Sequence, residues 1–121
     1  MMELASSANI PVRGYVSCVL GCPYEGHIET QAVARVAEKL MEIGCHEISL
    51  GDTIGVGTVK GTRDMLQEVA RAVDMSNLAV HFHDTYGQAL PNILAALEVL
   101  LGCVMYVCMC DVCVCRREYV W

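Results

Sequence analysis

The chain has 121 residues and carries 8 Lys or Arg against 14 Asp or Glu, a formal net charge of −6. That length suits one domain, and an acidic chain with no clustered basic run excludes a nucleic-acid footprint. A hydrophobic share of 55% excludes intrinsic disorder, and with only 6% aromatic residues the core must be aliphatic.

Residues Met1 to Ser7 contain neither a basic run nor an apolar stretch, so no targeting segment is expected there. Gly14-Tyr15-Val16-Ser17-Cys18 reads as a short buried strand. The loop after it, Gly21-Cys22-Pro23-Tyr24-Glu25-Gly26, is punctuated by turn residues. Cys18 and Cys22 have neither Cys-x-x-Cys spacing nor a His nearby in sequence, so they read as packed or loop thiols. After Thr30, the stripe Val33, Val36, Ala37, Leu40 and Met41 predicts an amphipathic helix, and Gly44 stands where its C-terminal cap belongs.

The pattern then repeats. Glu47-Ile48-Ser49-Leu50 reads as a second strand. Thr58 is the expected N-cap of a helix carrying Met65, Leu66, Val69, Ala70 and Val73 on one face. Leu78-Ala79-Val80-His81-Phe82-His83 reads as a third strand. After Gly87, Ala89, Ile93, Ala96, Leu97 and Leu100 mark a third helix, with Pro91 tolerable in its first turn. The strands start about 32 residues apart, the spacing of β-α units joined by right-handed crossovers. The fold class is therefore α/β with three consecutive parallel β-α units. Such units form a sector of an eight-fold (β/α) TIM barrel or half of a doubly wound sheet. In both, function gathers at the strand ends, where Ser17, Asp52-Thr53 and His81/His83-Asp84-Thr85 fall.

Two domains of character follow: residues 1–102 carry the β/α pattern, and residues 103–121 break it. Five of the eight cysteines crowd into positions 103–115, in alternation with Val and Met. This low-complexity run is what a TG repeat encodes, and it is expected to be irregular and outside the fold. A disulfide scaffold would spread its cysteines, so a reducing compartment is expected. Ile93 to Cys110 has membrane length, but Glu98 near its middle argues against a span, and no membrane partner is expected.

His81-x-His83 is the sharpest chemical signal. In a strand, side chains at i and i+2 share one face, ~6.5–7 Å apart at Cα, so two imidazoles can share a metal ion. The plainer reading is a hydrogen-bonded pair at a strand end. Gly51-Asp52-Thr53-Ile54-Gly55-Val56-Gly57-Thr58 ends a strand with a carboxylate and leads through glycines into a helix. It is either a backbone cradle for a substrate or a tight β-to-α turn, and Gly55-x-Gly57 alone is a weak phosphate motif. His27 and His46 stand alone and read as surface or capping histidines. Cys108, Cys110, Cys113 and Cys115 have thiolates suited to zinc or copper(I), although a single Cys-x-x-Cys pair is weak.

Several blocks in order carry a resemblance: Val12 to Cys18, Leu20 to Gly26, Glu47 to Thr58 and Ala79 to Leu90. From about Leu4 to about Leu100 the chain resembles the 3-hydroxy-3-methylglutaryl-CoA lyases. Sister enzymes that condense acetyl-CoA with 2-oxo acids share the barrel and the His-x-His, but His83-Asp84-Thr85-Tyr86-Gly87-Gln88 favours the lyase. The resemblance implies a partial TIM barrel and a divalent cation, Mg²⁺ or Mn²⁺. It implies cleavage of an acyl-CoA substrate to acetyl-CoA and acetoacetate, as in leucine catabolism and ketone body formation. It implies His81 and His83 as metal ligands, with His81 and Asp52 as catalytic residues. It also implies a mitochondrial matrix location, otherwise cytoplasmic, and a homo-oligomer in the full-length family. The family's Arg-Asp pair on the first strand, its catalytic Cys loop and its Asn ligand have no counterpart in these residues. The chain alone is therefore expected to lack lyase turnover. The competing readings are a thiolate metal binder and a non-catalytic relic.

Overall fold

The computed structural model describes residues 2–100, 105–109 and 112–116. Helix α1 (Met2–Ser7), which has no apolar stripe and buries no residue, precedes strand β1 (Arg13–Val16). Then come helix α2 (Thr30–Glu42), strand β2 (Glu47–Asp52), helix α3 (Val59–Val69), strand β3 (Leu78–Phe82) and helix α4 (Ala89–Val99). β1 pairs parallel with β2, and β2 with β3, in chain order, as the regular spacing of the units predicts.

The first strand is shorter than the sequence suggests. Cys18 adopts φ +59°, a left-handed conformation no strand accommodates, so extended backbone ends at Val16. The third strand closes at Phe82, and His83 is the first residue beyond it. Part of the expected irregular tail 103–121 lies outside the described residues. Of the rest, the backbone of β4 (Met105–Met109) and β5 (Val112–Arg116) forms an antiparallel pair whose β5 lies beside β3. Among the described residues, no helix is long and apolar enough to cross a membrane.

Each helix is bounded by local chemistry. Gly44, at φ +100°, closes α2: its N–H donates to Met41 O at 2.9 Å and the next amide, Cys45, to Leu40 O at 3.0 Å. That pair of bonds is the Schellman arrangement, and the left-handed position explains the glycine. Thr58 caps α3 by accepting from Gly61 N at 3.2 Å. Thr58→Ala is expected to cost about 1 kcal/mol, read from the chemical denaturation midpoint, because the Gly61 amide then loses its partner. At α4, the Asp84 carboxylate accepts from Ala89 N at 2.9 Å, and Pro91 occupies the first turn without breaking it.

The strands divide their side chains by alternation. Val16, Ile48, Leu50, Leu78, Val80 and Phe82 face the helices and meet Val33, Ala37, Met65, Leu66, Val69, Ile93 and Ala96 in one aliphatic core. Gly14 belongs to the same face, since a Cβ there would touch Ile48, Leu40 and Cys45. The opposite face carries Arg13, Tyr15, Glu47, Ser49, Ala79 and His81. There Arg13 Nε and Glu47 Oε1 form an ion pair at 2.5 Å, on neighbouring strands in register. Outside the sheet, Arg63 and Glu98 tie α3 to α4.

Candidate metal centre

β3 delivers His81 to the polar face, and the chain leaving the strand returns His83 to the same side. The two rings stand 5.0 Å apart at their centroids, crossed at 73°. Their Nε2 atoms converge to 3.0 Å, so one Nε2–H donates to the lone pair of the other. Both side chains are half-buried. The two imidazoles therefore share one face and meet as a hydrogen-bonded pair at the strand end.

Asp52 lies one strand away at the same end of the sheet. Its carbonyl accepts from His83 N at 3.4 Å, so the two strand ends are joined by backbone. Its carboxylate takes the other face. In register Asp52 pairs with Phe82 while Gly51 pairs with His81, so the Asp52 side chain turns toward the helices. There it is fully buried and accepts from Val56 N at 3.2 Å and Gly57 N at 2.8 Å. The structure brings Asp52 and the histidines to one rim; it does not bring the carboxylate and the imidazoles onto one face. The Val56 and Gly57 amides are occupied by the Asp52 carboxylate, and Gly55 N donates to the Asp52 carbonyl at 3.3 Å, which is the tight-turn reading of that loop.

Two further residues complete this rim: Asn92, which the sequence reading does not single out, and Thr53, which it places at the strand end. Asn92, fully buried on α4, donates from Nδ2 to Gly57 O at 2.9 Å and so pins α4 to the loop after β2. Its signal is a polar residue inside the apolar stripe Ala89, Ile93, Ala96. The Thr53 hydroxyl accepts from Cys18 N at 2.8 Å and ties the first loop to the second strand. Gly55, at φ +68°, sits where a Cβ would lie 2.8 Å from Thr85 Oγ1 and 2.9 Å from His83 O. Gly55→Ala is expected to cost about 2–4 kcal/mol, through left-handed strain and crowding, and to push His83 off its position. Thermal melting and the metal affinity of the same variant check both effects.

The remaining candidates fall elsewhere. His46 Nδ1 meets Val12 O at 2.8 Å at the opposite end of the sheet, and His27 pairs with Glu29 across 3.6 Å at the surface. The side chains of Cys108, Cys110, Cys113 and Cys115 lie outside the described residues. Among the described residues, no three His, Cys, Asp or Glu side chains gather around one point.

Comparison with known proteins decides the family. A family model described as HMGL-like matches residues 1–105. The chain belongs to the HMGL-like family. Among similar HMGL-like proteins, the cytoplasmic 3-hydroxy-3-methylglutaryl-CoA lyase of Danio rerio is 58% identical over 99 residues, covering 82% of this chain and 30% of that protein. The mitochondrial hydroxymethylglutaryl-CoA lyase of Gallus gallus is 59% identical over 99 residues, covering 82% and 33%. The crystal structure of hydroxymethylglutaryl-CoA lyase from Pseudomonas aeruginosa superposes with a TM-score of 0.79 at 54% identity, over 84% of this chain and 33% of that one. The chain thus spans about a third of the length of the HMGL-like relatives it matches. Its three parallel β-α units correspond to part of a TIM barrel.

Proposed function

We propose that this chain is the metal-binding sector of a hydroxymethylglutaryl-CoA lyase, which cleaves 3-hydroxy-3-methylglutaryl-CoA into acetyl-CoA and acetoacetate. The observation that carries the reading is the convergence of His81 Nε2 and His83 Nε2 to 3.0 Å. Two ligands at ~2.1 Å on adjacent octahedral positions stand about 3.0 Å apart, so the pair fits two sites of a divalent cation with little rearrangement. The identity to lyases from fish and bird supports the substrate class, an acyl-CoA.

His81 and His83 would hold the ion, Mg²⁺ or Mn²⁺, on the polar face. When bound, such an ion acts as a Lewis acid toward the oxygens of a hydroxy-acyl substrate. The chain's own residues do the positioning. The register of β3 sets both imidazoles on one face, and half-burial leaves each open to a substrate. During cleavage the 3-hydroxyl loses a proton, and His81, with two ring nitrogens, is the residue assigned to assist that movement. Asp52 acts at one remove. Its carboxylate holds the Val56 and Gly57 amides, and its carbonyl holds the His83 amide. The HMGL-like enzymes are metal-dependent, and a homo-oligomer of the complete barrel belongs to the same reading. The compartment is mitochondrial, as for the Gallus gallus relative, with the cytoplasm of the Danio rerio relative as the alternative.

The test is a graft. Residues 4–100 replace the matching third of a full-length lyase, and acetoacetate release is followed with Mn²⁺ and hydroxymethylglutaryl-CoA. Turnover within tenfold of the parent supports the reading. Loss of turnover in a folded graft that still binds Mn²⁺ refutes it.

A further inference from the structure

The three β-α units meet at Gly57. Leu20, from the loop after β1, and the Asp52 carboxylate crowd it: a Cβ there would sit 2.4 Å from Leu20 Cδ1 and 2.8 Å from Asp52 Oδ2. From α4, Asn92 Nδ2 reaches the Gly57 carbonyl at 2.9 Å, while the buried Asn92 Oδ1 has no hydrogen-bond partner among the described residues. An apolar residue of that size would continue the buried face of Ala89, Ile93 and Ala96. A buried amide that makes one bond and leaves its oxygen unpaired offsets less of its desolvation, so packing alone does not account for Asn92. What its side chain adds is the closure of a ring. His83 N donates to Asp52 O, Gly57 N donates to the Asp52 carboxylate at 2.8 Å, and Asn92 donates to Gly57 O. From Asn92 the first turn of α4 leads back to Ala89, whose amide donates to Asp84 Oδ1 at 2.9 Å, beside His83. The weakest member of the ring is the one at His83, where 3.4 Å exceeds the ordinary N–H···O range. The placement of His83 therefore depends on the others.

We propose that Asn92 is the positioning residue of the imidazole pair: by tying α4 to Gly57 it fixes where Asp84, and with it His83, stands against His81. Asn92 meets Gly57 from the helix side of the sheet, as the Asp52 carboxylate does, whereas the imidazoles stand on the polar face. It acts through the backbone and supplies no ligand of its own. β3 ends at Phe82, so the strand ladder sets the place of His81 but not that of His83. With the ring opened at Asn92, His83 keeps only its long bond to Asp52 O and its link through Asp84. The 3.0 Å approach of the two Nε2 atoms then widens. Residues that orient ligands from behind are typically worth ~10–100-fold in metal affinity, although they touch no metal. The bearing of Asn92 on a metal ion rests on the lyase reading, whereas its hold on the imidazole pair does not.

The test starts with the metal-free 121-residue chain, its four histidines labelled with ¹⁵N. In the parent, the Nε2–H that bridges His81 and His83 is expected as a slowly exchanging imidazole proton. Asn92→Leu removes the donor and keeps the volume, and the bridging proton is expected to disappear. Asn92→Ala does the same with a smaller side chain, should Asn92→Leu not fold. Asn92→Gln retains an amide donor and is expected to restore part of the signal. Ile93→Val is the control for a structural role: it loosens the same buried face of α4 without touching the ring, and it is expected to keep the proton even as its melting temperature falls. In the graft, Mn²⁺ affinity is expected to drop ~10–100-fold for Asn92→Leu and to hold for Ile93→Val. A bridging proton that survives in folded Asn92→Leu or Asn92→Ala overturns the proposal. So does its equal loss in Ile93→Val, or its absence from the parent. A graft that binds no Mn²⁺ refutes the lyase reading instead, and the imidazole spectra then decide the role of Asn92 alone.

Discussion

His81→Ala in the graft is expected to lower kcat by about 10³-fold, the several kcal/mol that a bound Lewis acid contributes. The loss should come without unfolding. His81 is half-buried on the polar face, apart from the aliphatic core, so thermal melting of the variant should stay near that of the parent graft. His83→Ala is expected to do the same, and the double variant to be little worse than either single one. Two ligands of one ion act as a unit, and removing the first already removes what the second supports. Mn²⁺ titration of the same proteins should show the affinity falling with the activity. If either single variant keeps turnover within tenfold of the parent, the His pair is not the metal centre.

Asp52→Ala carries the largest expected effect on stability, about 3–5 kcal/mol, and with it a fall of more than ~10 °C in Tm. The carboxylate is fully buried and holds two amides. Truncation leaves both donors without an acceptor in a closed site, each at a cost of about 1–3 kcal/mol, and adds a void beside Gly57. Asp52→Asn is expected to cost about half as much. Its oxygen can still accept one amide, while its NH₂ group meets the other donor head on. Melting curves of the two variants check the order. A change below ~2 °C for Asp52→Ala would mean that the loop is held by something else.

The β-α frame is legible in the sequence because each helix carries its stripe and each strand its short apolar run. The stripes over Val33–Met41 and Met65–Val73 have one physical cause, burial of one helix face against the sheet. His81 and His83 are legible for the same kind of reason, since alternation in a strand is fixed by the pleat. Where the reading stops short, the cause is local. The end of β1 depends on the φ of Cys18, which no pattern of hydrophobicity encodes. Helix α1 has no fully buried residue and only Met2 packs against the core, so it leaves no stripe to read. Asp52 shows most about the site. Its place at a strand end suggests rim chemistry, yet it stands in step with Ile48 and Leu50, whose side chains enter the core. That step is visible in the sequence, and it outweighs the strand-end position once the register is known. Asn92 is hidden differently: a single polar residue in an apolar helix face carries no sign of the carbonyl it will meet.

The alternation of the strands also sorts the ways this chain can change. Ile48, Leu50, Asp52, Leu78, Val80 and Phe82 hold the molecule together, whereas Ser49, Gly51, Ala79 and His81 face away from the helices. Counted along β2 and β3, the even positions answer to packing and the odd ones to chemistry. A substitution library across β2 (47–52) and β3 (78–82) should therefore split by parity, with folding yield tracking the even sites and catalytic output the odd ones. Such a scaffold lets new reactions be tried at odd positions without renegotiating the core at each attempt, and that separation is a physical source of evolvability in a parallel sheet.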